Sequence, residues 1–119
     1  MNKQEAFYSW LSGFSLPVYA EGSVPNNAAL PYITFSWSQA QTFDSVSVTA
    51  TAYARTKSAK KLTSACDSIV NDLAQGGVTL QCTDGLLWLT SASPAMQCFE
   101  LEECLKGCYI NINIQFLTL

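Results

Sequence analysis

The segment "PYITFSWSQAQTFDSVSVTATAYA", residues 31–54, decides the fold. After Pro31 the bulky residues Tyr32, Ile33, Phe35 and Trp37 predict a strand, and proline stands at its start, where a strand tolerates it. Residues 45–54 then alternate strictly between an aliphatic and a hydroxyl-bearing face, which predicts a second strand. Two such strands joined by a polar tip, residues 38–45, predict a long β-hairpin.

A helix is expected directly after this hairpin, over residues 56–75. Its apolar residues recur at the spacing of one helix face, and Thr56 or Ser58 can cap its start. Gly76 and Gly77 follow as a natural end. Because the side chains of the strand before this helix decrease in size from valine to alanine, we expect helix and strand to pack closely.

The remaining elements follow from the same patterns. Asn2 and Glu5 form the signature of a capping box, which predicts an N-terminal helix to Leu11. The final segment alternates isoleucine with polar residues and carries no charge to blunt an edge, so we expect it inside the sheet. The other expected elements are strands at 18–20, 78–82 and 86–90, a short helix at 98–105 and the final strand at 109–117.

The fold class predicted from these elements is α+β, with residues 1–119 forming a single domain. We expect one mixed, mainly antiparallel sheet, two main helices packed on one face and a long β-hairpin.

Composition points to association. Hydrophobic residues make up 49% of the chain and charged residues 13%, about half the charged fraction of typical soluble domains. We interpret this as apolar surface that is covered by partner subunits, and an ordinary apolar small domain is the alternative. The net charge of −3 argues against binding to a phosphate backbone, which needs clustered lysine and arginine.

The sequence predicts neither a membrane segment nor secretion. No apolar run approaches the ~20 residues that span a bilayer. Glu5 stands where a signal peptide is positively charged, and serines interrupt the apolar stretch that follows.

No constellation for catalysis or metal binding is apparent. The chain contains no histidine, which removes histidine-based triads and metal sites. Cys98, Cys104 and Cys108 are close in sequence but lack the spacing of a zinc site. Because the cysteine count of five is odd, we expect all five thiols to be reduced and free of metal.

The only acidic cluster, Glu100, Glu102 and Glu103, is interpreted as a solvated surface. We interpret five aromatic residues as part of the core rather than a ligand site: Phe7, Trp10, Phe35, Trp37 and Trp88.

Three stretches together resemble a known family. They are "ALPYITFSW" (residues 29–37), the hairpin that leads into a capped helix, and the ending "SPAMQCFELEECLKGCYININIQF" (residues 93–116). In pattern and order they are similar to the small minor structural proteins of long-tailed bacteriophages, of the tail terminator type.

The resemblance implies a structural protein that is not an enzyme and carries no cofactor. It implies a homohexameric ring that caps the tail tube, ends its polymerisation and provides the interface to the head connector. The implied partners are the chain itself, the major tail tube protein and the head completion protein, with DNA passing through the ring without specific binding. The implied location is the head-proximal end of the virion tail, assembled in the host bacterial cytoplasm.

The hairpin tip is the candidate interface with a neighbouring subunit or the tube, and its residues are Gln39, Ala40, Gln41, Thr42, Phe43 and Asp44. A hairpin wholly paired within its own sheet is the alternative. Four alternative interpretations of the whole chain remain: another head–tail joining or neck protein, a tail-tube-related protein, a monomeric cellular binding module without catalysis, and a small enzyme that uses a cysteine or the acidic cluster.

Overall fold

The structure is a computed structural model. It describes residues 1–14, 16–39, 45–55, 60–83, 85–102 and 104–118. Within these ranges the chain forms two α-helices, one short 3-10 helix and six strands. The helices are α1 (Lys3–Leu11) and α2 (Lys60–Ala74), with the 3-10 helix at Ser12–Phe14; the strands are β1 (Val18–Ala20), β2 (Tyr32–Gln39), β3 (Ser45–Arg55), β4 (Val78–Cys82), β5 (Gly85–Glu102) and β6 (Leu105–Thr118).

All six described strands belong to one curled sheet, in the order β1-β2-β3-β6-β5-β4. The β1–β2 pair is parallel and the other four pairs are antiparallel. The predicted α+β class is confirmed, and β6 lies inside the sheet between β3 and β5, as the charge-free ending predicted.

The core lies between the helices and alternate residues of the sheet. Ile110, Ile112 and Ile114 of β6 are each about 1% exposed, and β3 adds valines and alanines to the same layer. Phe7 and Leu11 of α1 and Ile69 of α2 belong to this core and are fully buried. The small residues of β3 leave room for the helices, because a close-packed interior has no space for both bulky strand residues and a close helix.

Helix α1 begins as the sequence predicted. The Asn2 side chain accepts a hydrogen bond from the Glu5 N–H (2.8 Å), and the Glu5 carboxylate accepts one from the Asn2 N–H (3.0 Å). This capping box satisfies two N–H groups that a helix end otherwise leaves without partners. At the other end of α1, Trp10 Nε1 donates to Asp72 Oδ2 of α2 (2.9 Å), which ties the two helices together.

The expected short helix at 98–105 is wrong. Strand β5 continues to Glu102 and β6 begins at Leu105, so these residues form the end of a β-hairpin. Pairing with β6 decides the conformation, because isolated helices this short are marginal. The sequence prediction ended the strand at Thr90. The structure continues it and accommodates Pro94 at a register shift between Ser91 and Met96, where a strand tolerates proline.

Helix α2 agrees with the prediction over its described length. It spans Lys60–Ala74, and Leu62, Cys66 and Ile69 are on its buried face. The predicted caps Thr56 and Ser58 lie outside the described residues.

The expectation that all five thiols are reduced is also wrong in this structure. Cys98 and Cys108 form a disulfide between β5 and β6, with their Cα atoms 4.0 Å apart. The two residues stand directly opposite in the register, and antiparallel neighbours at such a position are close enough for a disulfide. Cys66, Cys82 and Cys104 are free thiols.

Candidate interaction surface

The sheet has a second face that does not belong to the core, here called the polar face. It consists of alternate residues 32–36 of β2, 47–53 of β3 and 109–115 of β6, together with Trp88, Thr90 and Phe99 of β5. None of these residues is charged. The alternation that the sequence predicted for β3 and β6 creates this face, since successive strand residues point to opposite sides.

Hydrogen bonds fix the middle of the polar face. The Thr49 hydroxyl of β3 donates to Asn111 Oδ1 of β6 (3.1 Å). The Asn111 amide in turn donates to the Pro94 carbonyl of β5 (2.9 Å). Asn111 therefore joins three adjacent strands and provides a partner for a carbonyl within the irregular part of β5.

One end of the polar face carries a row of five aromatic rings, here called the aromatic row. Tyr19 of β1, Tyr32 of β2 and Tyr53 of β3 follow one another with ring centroids 5.7 Å apart in each pair. Tyr53 lies 6.5 Å from Phe99, and Phe99 stacks on Tyr109 at 4.5 Å with an angle of 26° between the rings. The row crosses five of the six described strands, and its rings come from five separate stretches of the chain.

The aromatic row changes the ionisation of its central tyrosine. Burial raises the pKa of Tyr53, and the neighbouring Tyr109 raises it further; a hydrogen bond with the Thr34 side chain acts in the opposite direction. The neutral form of the Tyr53 phenol is therefore favoured.

The acidic cluster is a set of surface ion pairs. Glu100 accepts a hydrogen bond from Lys106 Nζ (2.9 Å), and Glu102 lies 3.7 Å from the Arg55 guanidinium. Both carboxylates are exposed, which agrees with a solvated surface; Glu103 lies outside the described residues.

The predicted interface residues cannot be placed as a group. Residues 40–44 lie outside the described residues, and Gln39 is the last residue of β2. The backbone of Gln39 pairs with that of Val46.

The aromatic residues that the sequence assigned to the core divide into two groups. Phe7 and Phe35 are buried and contact each other at 5.4 Å, as expected. Trp88 is not a core residue: it belongs to the polar face, is 40% exposed, and its Nε1 donates to the Gly76 carbonyl (3.0 Å). Sequence reasoning missed the aromatic row, because only the register of the sheet brings its five rings together.

A groove of about 510 Å³ runs along α1 beside β2, and Met1, Tyr8 and Phe35 supply its apolar lining. Within the described ranges, no group of three or more potential metal ligands occurs. No described helix has the length and apolar character needed to cross a membrane.

In comparisons with protein-family models and with curated proteins, the chain matches none of them.

Proposed function

We propose that this chain is a structural subunit of a long-tailed phage tail, of the tail terminator type. In this proposal six copies form a ring that caps the tail tube, ends its polymerisation and provides the interface to the head connector. The two helices pack on one face of each subunit's sheet, and the β2–β3 hairpin, with residues 39–44 at its tip, reaches a neighbouring subunit or the tube. The ring is at the head-proximal end of the virion tail after assembly in the host cytoplasm, and it has no enzymatic activity.

The observation that carries the proposal is the uncharged polar face. A surface that holds DNA needs lysine and arginine to neutralise phosphates. The residues of the polar face include neither, and Arg55, which continues the β3 row beyond Tyr53, is paired with Glu102. Its hydroxyl and amide groups bear no charge of either sign. Such a surface suits the wall of a channel through which DNA passes without binding.

The scarcity of charge over the whole chain supports the ring itself. A subunit with 13% charged residues has less charged surface than most soluble monomers. Exposed apolar side chains, among them Tyr8, Leu101 and Leu117, remain on the isolated subunit. In the proposed ring, we expect these separate exposed side chains to lie in contacts between subunits.

The test is native mass spectrometry of the purified chain, alone and with tail tube protein. We expect a hexamer, at least at high concentration or on the end of the tube. A strictly monomeric chain in both conditions contradicts the terminator proposal.

A second experiment tests the hairpin. We expect that replacement of residues 39–44 by a short glycine-containing turn leaves the subunit folded but weakens capping. In a phage background the tube then continues to grow, giving abnormally long tails without heads. Infectious particles with tails of normal length exclude the hairpin from the mechanism.

The aromatic row favours a second candidate, a monomeric binding module without catalysis. Aromatic rings on an exposed sheet face provide large contact area and are frequent at binding surfaces. The same mass measurement separates the candidates, since a binding module stays monomeric in the presence of tube protein. Another head–tail joining protein would also form a ring, but would bind the head connector without stopping tube growth.

A further inference from the structure

At both outer edges of the sheet there are backbone groups that pair with no strand among the described residues. Strand β1 covers the outer side of β2 only along Ile33–Phe35. There the Ile33 N–H donates to the Pro17 carbonyl (2.8 Å), and the Glu21 N–H donates to the Phe35 carbonyl (2.9 Å). Because outward groups alternate along a strand, the next outward residue of β2 is Trp37. Among the described residues, no strand pairs with this side of β2 beyond Phe35.

The opposite edge is β4, which pairs only with β5 among the described strands. Two residues connect Cys82 to Gly85, and in such hairpins the closing pair normally exchanges backbone hydrogen bonds. Because bonded pairs alternate along the strand, the backbone groups of Leu80 and Val78 also form hydrogen bonds with β5. The N–H and C=O groups of Thr79 and Gln81 then point away from the sheet.

Neither edge has the charged residues or prolines that commonly prevent pairing between sheets, although α1 contacts β4 and the Thr83 N–H beyond its end donates to the Met1 carbonyl (2.7 Å). Strand β4 and residues 36–39 of β2 contain no charged residue and no proline. Lysine, proline and irregular geometry are the usual protection of an edge strand. The lower part of β5 does have them, with Pro94 in its irregular segment and Glu100 and Glu102 beyond it.

We infer that β4 of one copy of this chain adds, in parallel, to the outer side of β2 beyond Phe35 in the next copy. The inference rests on the proposed ring and supplies its interface. Four successive antiparallel pairs separate β2 from β4, so the two strands run in the same direction. A ring axis to which the strands are moderately tilted keeps this direction between neighbours, so β4 meets β2 of the neighbour in parallel. A dimer through β4 about a two-fold axis perpendicular to the sheet would instead be antiparallel, because that rotation reverses the strand direction.

The faces of the two edges also match. Val78 and Leu80 of β4 are on the core side of the sheet, as is Trp37 of β2, whereas Thr79 and Ser36 are on the polar side. A continued sheet therefore joins apolar side to apolar side.

The register requires a stagger between copies. Within one subunit, Val78 pairs with Leu89, Leu89 with Ile114, Ile114 with Val46, and Val46 with Gln39. Val78 of β4 is therefore level with Gln39 of β2. For β4 to pair with residues 36–39, the neighbour must shift along the strands by about four residues, roughly 13 Å. Closed rings of strands normally contain such a stagger, because their strands tilt relative to the axis.

The experiment compares two substitutions at the same edge positions. Thr79→Pro and Gln81→Pro each remove one outward N–H and leave the bonds to β5 in place; Thr79→Ala and Gln81→Ala retain the N–H and are the matched controls. Circular dichroism and thermal unfolding establish that each variant is folded, and native mass spectrometry over a concentration series measures assembly. We expect the alanine variants to assemble like the wild type, and the proline variants to need a concentration at least ~10-fold higher.

A second pair of variants covers the case in which proline prevents folding. Thr79→Lys with Gln81→Lys places two charges at the edge, and Ser64→Lys with Asn71→Lys adds the same charge to exposed positions of α2. We expect only the edge pair to prevent assembly.

The outcomes separate this inference from the proposed function. A wild-type hexamer that persists in the folded β4 variants overturns the β4–β2 contact and leaves the ring intact. A wild-type dimer that the β4 variants dissociate overturns the parallel contact in favour of a two-fold β4–β4 pair. A wild type that stays monomeric with tube protein overturns the ring, and this inference with it.

Discussion

Phe99 of β5 lies directly over Gly107 of β6. A Cβ atom at residue 107 would be 2.5 Å from Phe99 Cζ and 2.9 Å from Cε2. The two residues are opposite each other in the register, and the missing side chain lets the Phe99 ring lie flat enough to stack on Tyr109. An aromatic residue across from a strand glycine covers backbone that glycine leaves bare.

We expect Gly107→Ala to displace the Phe99 ring and destabilise the fold by about 1 kcal/mol, the value of one aromatic pair. The cost is limited because the ring end can move, unlike backbone. Chemical denaturation measures the change, and the near-ultraviolet circular dichroism of Tyr109 and its neighbours should decrease with it. The matched control is Gly13→Ala, since a Cβ at residue 13 has no neighbour within 4 Å. Equal stabilities of the two variants would show that Phe99 does not occupy this position.

The disulfide between Cys98 and Cys108 gives a second prediction. Mass spectrometry under non-reducing conditions should find this bond and three alkylatable thiols. Because the bond closes a short loop, its removal by Cys98→Ser should cost about 2–3 kcal/mol. Cys104→Ser, which changes a free thiol of the same hairpin, is the control and should have a small effect. Five alkylatable thiols in the native protein would instead restore the reduced state that the sequence indicated.

Local signals in the sequence predicted what depends on neighbouring residues. The capping box of Asn2 and Glu5, the buried face of α2 and the charge-free β6 were all found, because each depends on a spacing within one segment. The full length of β5 was not predicted, because it depends on residues distant in sequence. Pro94 argues against a strand, and only the pairing with β6 shows that an irregular segment accommodates it.

The candidate surface could be predicted only in part. The polar face follows from the alternation in β3 and β6, which the sequence displays. The aromatic row requires the parallel pairing of β1 with β2 and the register of β5 on β6. Neither is encoded within a single segment, so Tyr19 and Phe99 gave no signal of their common location. The same holds for the disulfide, whose two cysteines meet through the register.

The third prediction concerns the buried thiol of Cys66, which is fully inaccessible on the core side of α2. Burial, with a smaller effect of the nearby Asp67 carboxylate, raises the pKa of Cys66 to about 11. The unfolded chain ionises this thiol from about pH 9, near its ordinary value. Above that pH the unfolded state binds fewer protons than the folded state, so the free energy of unfolding falls as pH rises to about 11.

The difference between wild type and Cys66→Ala isolates this effect. The alanine variant should be less stable at neutral pH because it leaves a small cavity. Its deficit should shrink between pH 9 and 11, since only the wild type loses the contribution of the neutral thiol. In alkylation at pH 8, Cys82 and Cys104, both partly exposed, should react before Cys66 does. A deficit that stays constant with pH would show that the thiol is not buried in its neutral form.

The last prediction tests which side of β6 is the core. Ile112 is 1% exposed and pairs with Val48 of β3, whereas the adjacent Asn113 is exposed on the polar face. Ile112→Asp places a carboxylate among aliphatic side chains without a partner and removes a large part of the apolar contact there. Each effect alone costs several kcal/mol, which approaches the whole stability of a domain of this size. We therefore expect Ile112→Asp to be insoluble or unfolded.

Asn113→Asp adds the same charge one residue away, and it should fold with nearly unchanged stability because water reaches that side chain. Soluble expression, circular dichroism and thermal unfolding of the two variants make the comparison. A folded Ile112→Asp protein, or an unfolded Asn113→Asp protein, would mean that the two faces of β6 have been assigned the wrong way round.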